Sequence, residues 1–280
     1  MGIETIGMRI TDIPIEFYNA ATKQIVNFGI GIIKVAENER GEDAILIGSG
    51  TLVDLNGSQY ILTAQHVIDA LPTEGNIGFL IYEKLHKYVL NAQSLSTIKI
   101  DRGNNPESGP DLGLIKLPQP SVGTIKAYKS FYNVGNKRDR MLENPPENDL
   151  GAWCICGIPD IETKSEKPQK GFIHVKAYLE FCGFGGISKE YDFGEYDYID
   201  FEVKYSDRTD SPLSFSGVSG GGLWQVIIGQ RPGGELVVKE LLLSGVAFFQ
   251  TELIENKRTI KCHGRKSIYR NVLEKMRKVS

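Results

Sequence analysis

The apolar residues of this chain are gathered into many short runs, and each run is bounded by glycine, proline or polar residues. Short runs that are rich in valine and isoleucine, or that alternate apolar with polar positions, are typical of β-strands. Only residues 265–278 place apolar side chains at spacings of three and four, which is the periodicity of an amphipathic helix. Long helical segments do not alternate with the strands, which disfavours a parallel α/β sheet. The sequence therefore predicts an all-β fold with a C-terminal α-helix.

A polar stretch divides the strand signals into two groups. Residues 130–150 are rich in charged and amide side chains and contain two adjacent prolines, which is typical of a linker or a long surface loop. We therefore expect one half of the chain at residues 1–125 and a second at 151–260. The segment 126–150 is expected to join them, and the C-terminal helix is expected within residues 261–280.

The charge balance and the hydropathy exclude several classes of partner. With 32 Lys and Arg against 35 Asp and Glu, the formal net charge is −3, so the chain lacks the basic excess that would neutralise nucleic-acid phosphates. No run of about 18 apolar residues is present, and we expect no contact with a membrane. The N-terminal residues lack the pattern of an export signal, and four cysteines are too few for a disulfide framework. Free thiols in a reducing cytoplasm are the expectation.

Ser219 lies in a glycine-rich segment, Gly217–Gly222. A serine hydroxyl becomes a nucleophile when a base removes its proton and backbone N–H groups stabilise the developing oxyanion. Glycine allows backbone conformations that other residues avoid, so the N–H groups of Gly217 and Ser219 can converge on one point. The alternatives are a glycine turn with an incidental serine, and the nucleophile elbow of an α/β-hydrolase. The elbow is disfavoured because the upstream chain is β-rich and no aspartate follows Ser219.

His66 and Asp111 precede Ser219 in settings that suit a base and the carboxylate that orients it. His66 follows an apolar strand signal, and Asp111 opens another one directly after Pro110. A carboxylate at the start of so apolar a strand is expected to be partly buried, and it then needs a partner such as an imidazole N–H. Taken singly, His66 is compatible with a buried structural histidine, and Asp111 with a turn residue. Together with Ser219 they follow the order His, Asp, Ser.

Three short blocks resemble those of the chymotrypsin-like (trypsin-type) serine peptidases. Thr63–Val67 (TAQHV) is similar to the family's T-A-A-H block, Asp111–Ile115 (DLGLI) to its D-(I/L)-A-L-(I/L) block, and Gly217–Gly221 (GVSGG) to its G-D-S-G-G block. Each block is short, and it is their joint occurrence in this order, within roughly residues 25–250, that indicates the family.

The resemblance implies a fold and a role for each residue. It implies two six-stranded antiparallel β-barrels, the first carrying His66 and Asp111 and the second carrying Ser219, with the site in the cleft between them. It assigns His66 as general base, Asp111 as the group that orients it, and Ser219 as nucleophile. The backbone amides of Gly217 and Ser219 are implied as the oxyanion hole.

The same resemblance points to residues that bind the substrate. Ser244, Gly245 and Val246 are similar to the strand that pairs with the substrate backbone beside the specificity pocket. Leu213, six residues before the serine, is expected at the base of that pocket, where an apolar side chain argues against a basic P1 residue. A slip of the register would put Asp210 there instead.

One departure from the family pattern concerns activation. Val218 stands where secreted, zymogen-activated members carry an aspartate that receives a newly cut N-terminus, and no internal motif of the I-V-G-G kind is present. Two alternatives stay open: a site that is formed constitutively, or one that a partner protein activates.

Cys154 and Cys156 are expected on one face of a strand, a pattern that also raises the question of a metal site. Some viral chymotrypsin-like peptidases bind structural zinc with a Cys-x-Cys pair at this position, but their later ligands have no counterpart after Ser219. Cys182 and the Cys262–His263 pair would complete a site only through an accident of the fold. Buried free thiols are the favoured interpretation, and the predicted chemistry needs no metal and no organic cofactor.

The sequence thus predicts a cytoplasmic serine endopeptidase that hydrolyses a protein or peptide substrate through an acyl-enzyme. The alternative is a double-barrel module that holds a peptide in its cleft without catalysis. Retention of all three reactive groups favours the enzyme, whereas Val218 keeps the alternative open. An esterase with an α/β-hydrolase fold is a third reading, and its activity would survive His66→Ala. The P1 preference, the natural substrate and the oligomeric state stay open.

Overall fold

The computed structural model of the chain describes residues 3–8, 12–38, 41–82, 86–160, 164–166, 175–177, 181–205, 212 and 214–279. Strands are the main regular element of these residues. The strands up to residue 133 are β1 (Glu4–Thr5), β2 (Gly29–Asn38), β3 (Gly41–Leu55), β4 (Ser58–Thr63), β5 (Asn76–Tyr82), β6 (His86–Asn91), β7 (Ser96–Arg102), β8 (Asp111–Lys116) and β9 (Tyr132–Asn133). The later strands are β10 (Ala152–Gly157), β11 (Lys164–Glu166), β12 (Val175–Ala177), β13 (Phe181–Phe193), β14 (Tyr196–Lys204), β15 (Gly222–Gln230), β16 (Leu236–Gln250) and β17 (Lys257–His263).

The strands form two large antiparallel sheets. The first follows the order β6-β5-β2-β3-β4-β8-β7, with the short β9 added parallel to β3. The second follows the order β1-β15-β10-β13-β14-β17-β16, and β16 pairs again with β15, so that six of its strands close into a ring. The predicted all-β fold is confirmed in part, because the chain is mostly β, with two antiparallel sheets, and also contains several helices. The expectation of two six-stranded barrels holds for the ring; among the described strands the first sheet has seven in its path, and its edge strands β6 and β7 do not pair.

Several helices pack on the sheets. They are α1 (Ile15–Ile25), α2 (Gln65–Asp69), α3 (Gln119–Lys126), α4 (Val134–Leu142) and α5 (Leu273–Val279), the last entered through a π-helical segment, Ser267–Val272. The predicted C-terminal helix is confirmed, although β17 extends to His263, beyond the predicted boundary at residue 261. No helix of the described residues is long and apolar enough to cross a membrane.

Helix α1 corrects the expectation that only the C-terminal segment is helical. Its buried side chains are Phe17, Ala21 and Ile25, which follow each other at intervals of four and therefore lie on one face. Only these three positions of the helix are buried, and the polar residues between them obscure the periodicity in the sequence.

Helix α4 corrects the interpretation of residues 126–150 as a linker or loop. The helix begins at Val134 and is capped by the preceding Asn133, whose side-chain Oδ1 accepts a hydrogen bond of 2.8 Å from the Asn136 N–H. Lys137 forms an ion pair of 2.7 Å with Glu240 on β16, so the segment lies against the second sheet. Its polar composition reflects a helix with one contacting face. The division of the chain into domains at residues 125 and 151 stays a prediction.

One continuous apolar core joins the two sheets. Trp224 on β15 is 1% exposed and stacks on Phe28 with a centroid distance of 5.2 Å. The Trp224 ring also meets Tyr132 of β9 edge-on, again at 5.2 Å. Leu112 and Leu114 of β8 belong to the same buried cluster. Because aromatic rings of this size bury a large apolar area, the two sheets are held together as one unit, and the cleft described next lies at their border.

Candidate active site

The structure brings the three predicted reactive residues to one border between the sheets. His66 is the second residue of α2, directly after β4, and Asp111 is the first residue of β8, which pairs with β4. Ser219 lies in the loop that precedes β15 of the second sheet. His66 and Ser219 line the same cleft, which has a volume of about 470 Å³.

The carboxylate of Asp111 is held by three donors. Its Oδ2 lies 2.6 Å from His66 Nδ1, and its Oδ1 accepts a hydrogen bond of 2.9 Å from the His66 backbone N–H. Arg102 Nη1 approaches Oδ1 to 3.4 Å. The Asp111 side chain is 8% exposed and that of His66 is 34% exposed, so the carboxylate is enclosed while the imidazole reaches the cleft.

This environment keeps Asp111 ionised. Burial disfavours the charged form, but the hydrogen bonds and charge of His66, together with Arg102, outweigh burial and lower the pKa of the carboxyl group. An ionised Asp111 holds a proton on His66 Nδ1, which leaves a lone pair on Nε2. The imidazole is therefore arranged to accept a proton from a hydroxyl group in the cleft.

A second histidine, His263, supports Asp111 from behind. Its ring is fully buried, and its Nε2 accepts a hydrogen bond of 2.9 Å from the Asp111 backbone N–H. The ring packs against Tyr196, Tyr198 and Phe248 at centroid distances of 5.7, 5.1 and 4.9 Å. Nothing in the sequence marked this role, because His263 follows Asp111 by 152 residues. Burial, above all, lowers the pKa of His263 to about 4, and the ring is neutral at pH 7.

We expect His263→Gln to remove part of the acid sensitivity of the fold. The unfolded chain takes up a proton at this histidine below about pH 6.5, whereas the folded chain does so only near pH 4. Stability from the neutral ring is therefore complete above pH 6.5 and is lost as the pH falls towards 4, by about 3 kcal/mol at most. Urea unfolding at pH 7 and pH 4 measures this difference. Glutamine retains an acceptor for the Asp111 N–H, so the wild-type protein should lose more stability than the variant; equal losses would contradict the prediction.

Residues 214–221 form the loop that carries the predicted nucleophile, hereafter the nucleophile loop, and its backbone is turned so that two N–H groups remain available. The Ser216 carbonyl accepts a hydrogen bond of 2.7 Å from the Asp160 N–H, and Gly217 has a φ of +89°. Because the N–H of a trans peptide points opposite to its carbonyl, the Gly217 N–H is directed away from Asp160. Neither this N–H nor that of Ser219 donates to an acceptor among the described residues, and the same is true of Ser219 Oγ.

Ser49 of β3, which the sequence analysis did not identify, fastens this loop to the first sheet. Its hydroxyl donates to the Gly217 carbonyl over 2.7 Å and accepts from the Ile158 N–H over 2.8 Å. Its backbone N–H donates to the Ser219 carbonyl over 2.8 Å. In the sequence, Gly48-Ser49-Gly50 only interrupts an apolar run, and the loop partner of Ser49 lies 168 residues away in the chain.

The predicted substrate-binding residues lie elsewhere or outside the described residues. Ser244, Gly245 and Val246 are buried within β16 and do not line the cleft, and the Ser244 hydroxyl bonds to the Leu242 carbonyl. The segment beside the nucleophile loop is 247–250, three residues further on. Its position is fixed by two hydrogen bonds, Gly220 N–H to Ala247 O (2.7 Å) and Ala247 N–H to Gly221 O (2.9 Å). Leu213 and Asp210 lie outside the described residues.

Val218 and the cysteines occupy apolar surroundings. Val218 is 1% exposed and belongs to a core cluster of the second sheet. Its side chain therefore holds the loop by apolar packing, at the position where the sequence lacks the aspartate of the family pattern. Cys154, Cys156 and Cys262 are buried, Cys182 is half-buried, and none of the four forms a disulfide. In the described ranges, no three His, Cys, Asp or Glu side chains converge as metal ligands would.

Comparisons with known proteins give similarity at the level of the backbone. No family model matches the chain, and no curated protein is similar to it in sequence. One similar solved structure was reported for the coupled folding and binding of the intrinsically disordered Sesbania mosaic virus VPg protein. It has a TM-score of 0.45 and 12% identity, and the alignment covers 88% of this chain and 90% of that chain. Another is neuropsin, a serine protease expressed in the limbic system of mouse brain, with a TM-score of 0.44, 17% identity and coverage of 91% and 95%. These values describe a likeness in fold alone.

Proposed function

We propose that this chain is a serine endopeptidase in which Ser219 is the nucleophile, His66 the general base and Asp111 the residue that orients His66. The observation that carries the proposal is the doubly hydrogen-bonded His66–Asp111 pair, with Nδ1 2.6 Å from Oδ2, facing a cleft that Ser219 also lines. An ionised carboxylate behind an imidazole, beside a serine in a glycine-rich loop, suits nucleophilic acyl transfer.

The steps follow from the available lone pairs and donors. Ser219 Oγ attacks the peptide carbonyl carbon while its proton passes to His66 Nε2. The tetrahedral intermediate collapses when His66 returns that proton to the leaving amine, and an acyl-enzyme remains. Water, deprotonated by His66, then attacks the ester and releases the acid, and Ser219 regains its proton.

The backbone N–H groups of Gly217 and Ser219 supply the electrostatic stabilisation of the oxyanion. The N–H groups of Gly217 and Ser219 have no acceptor among the described residues, so a substrate oxygen can accept from both without breaking an existing bond. Donors that are fixed before the reaction stabilise the oxyanion without reorganisation. The hydrogen bond from Asp160 to Ser216 and the buried Val218 hold this arrangement, which supports a constitutively formed site over one that a partner must assemble.

One observation favours the second candidate, a peptide-binding module without catalysis. Ser219 Oγ makes no hydrogen bond to His66 in the described part of the chain. In ligand-free sites such contacts are often long and close only with substrate bound, so the enzyme remains the better account.

The test is covalent labelling with a fluorophosphonate probe, read by intact mass and peptide mapping. We expect a single adduct on Ser219 in the wild-type protein, because the probe reacts with serines that a base has activated. Ser219→Ala should abolish it.

Ser216→Ala provides the matched control, since Ser216 is an exposed serine that lines the same cleft three residues earlier. This variant should still be labelled on Ser219. A wild-type protein that is folded but not labelled would overturn the proposal of a serine endopeptidase and would support the peptide-binding module.

A further inference from the structure

The cleft beside Ser219 has apolar walls and one polar end. Its walls are formed by Ile47, Phe215, Val218, Ala247, Phe248, Phe249 and Ile260. Apart from His66 and Ser219, the polar side chains that line it are Ser216 and Gln250, and the region around Gln250 is here the polar end. No described residue that lines the cleft carries a carboxylate. A substrate side chain that enters this space therefore finds a polar contact at Gln250.

Gln250 bridges the two sides of the cleft. From β16 its Oε1 accepts a hydrogen bond of 2.8 Å from the Phe215 backbone N–H on the nucleophile loop. Its Nε2 donates to Ser214 Oγ over 3.2 Å. These bonds fix the amide, and they leave one Nε2 hydrogen without an acceptor among the described residues.

Arg258 is not itself among the residues that line the cleft, but it lies beside this amide and supplies a positive charge there. Its Nη1 donates to Gln250 Oε1 over 2.6 Å, and it lies two residues from Ile260, on the same face of β17. The nearby carboxylate of Glu202 is instead paired with Lys204 and Lys257.

The charge of Arg258 is uncompensated within the described residues. It forms no ion pair there, and its Nε is buried without a hydrogen-bond partner. Among the described residues, the one side chain that bonds to this half-buried guanidinium is a neutral amide, an arrangement that is unfavourable unless an anion completes it. The fork of guanidinium N–H groups matches a carboxylate.

We propose that this end of the cleft binds an acidic P1 side chain, glutamate or aspartate, through Gln250 Nε2 and the Arg258 guanidinium. The proposal rests on the proposed peptidase function and names its substrate class. The apolar walls hold the aliphatic part of the side chain, and the carboxylate reaches the donors at the end. It also predicts that a basic side chain is disfavoured, since it would approach Arg258.

The experiment compares fluorogenic peptides that differ only at P1, with Glu, Asp, Gln, Asn, Leu and Lys. For the wild-type protein we expect kcat/KM for an acidic P1 to exceed that of its amide counterpart at least about tenfold, since a hydrogen bond to a charged group is lost with the amide. In Arg258→Gln the acid-to-amide ratio should fall towards one. Lys257→Gln, which removes an exposed positive charge from the same strand, should keep the wild-type ratio.

Fluorophosphonate labelling run in parallel distinguishes a failure of the acidic P1 preference from a failure of the peptidase function. A wild-type protein that is labelled on Ser219 but prefers leucine or lysine, or shows no acid preference, overturns this proposal and leaves the peptidase standing. A preference for acid that Arg258→Gln leaves intact in a labelled variant also overturns it. Absence of labelling in the wild type overturns both. The wild-type ratio decides the substrate class even if Arg258→Gln does not fold.

Discussion

Replacing Asp111 by asparagine is expected to slow the reaction of Ser219 with a fluorophosphonate by about four orders of magnitude at pH 7. The orientation of the new side chain is fixed in advance. The His66 N–H and Arg102 Nη1 both donate to Oδ1, at 2.9 and 3.4 Å, so the asparagine must keep its oxygen there. Its NH₂ group then faces His66 Nδ1 and donates to it. The imidazole proton moves to Nε2, and no lone pair remains to accept the serine proton.

Asp69→Asn is the control for this prediction. Asp69 also pairs with Arg102, at 3.2 Å, but it does not contact His66 Nδ1 and its side chain is half exposed. Its replacement removes the same charge near the site and should leave the labelling rate nearly unchanged. The measurement is the second-order rate constant of labelling, with thermal melting to verify folding. A decrease of less than about tenfold in folded Asp111→Asn would contradict the assigned role of Asp111.

Gly220→Ala is expected to destabilise the fold by about 3–5 kcal/mol and to abolish labelling. Gly220 has a φ of +87°, where an L side chain is strained. A Cβ there would lie 2.0 Å from Thr63 Oγ1 and 2.1 Å from the Ser49 carbonyl oxygen. The second of these is a backbone atom in the middle of β3, so relief requires the nucleophile loop to leave the first sheet.

Gly57→Ala separates strain from steric overlap. Gly57 has a nearly identical φ of +86°, but nothing lies within 4 Å of an added Cβ. This control should cost only about 1–2 kcal/mol, the penalty of the left-handed conformation. Chemical unfolding of both variants measures the difference. If Gly220→Ala proved no less stable than Gly57→Ala, the close contact between the loop and β3 would be disproved.

The three residues that we propose as reactive could be singled out from the sequence because each lies in a short local block. His66, Asp111 and Ser219 each sit where an apolar run meets a glycine or a strand end, and that context is read from the neighbouring residues. The supporting residues could not be predicted in this way. Ser49 and His263 act through contacts over 168 and 152 residues, and only the pairing of strands brings them to the site.

The binding segment illustrates a different limit. The predicted Ser244–Val246 segment lies three residues before the segment that lines the cleft. The strand that carries it, β16, pairs with β15 through two irregularities, one of them between Leu223 and Trp224. Each bulge shifts the register by a residue, so a count from the sequence cannot place a strand against a loop. Helix α4 was not predicted because its polar residues indicate only that the segment is exposed. An exposed helix and a surface loop have a similar composition.

If Ser219 is the nucleophile that we propose, the attachment of its loop to Ser49 couples its reactivity to the docking of the two sheets. Four groups, the Ser49 hydroxyl and amide and the carbonyls of Gly217 and Ser219, form a latch across the border. Opening of the border by a few ångströms would break these bonds and displace Ser219 while both sheets kept their own hydrogen bonds. Labelling by a fluorophosphonate would then report separation of the sheets earlier than circular dichroism would.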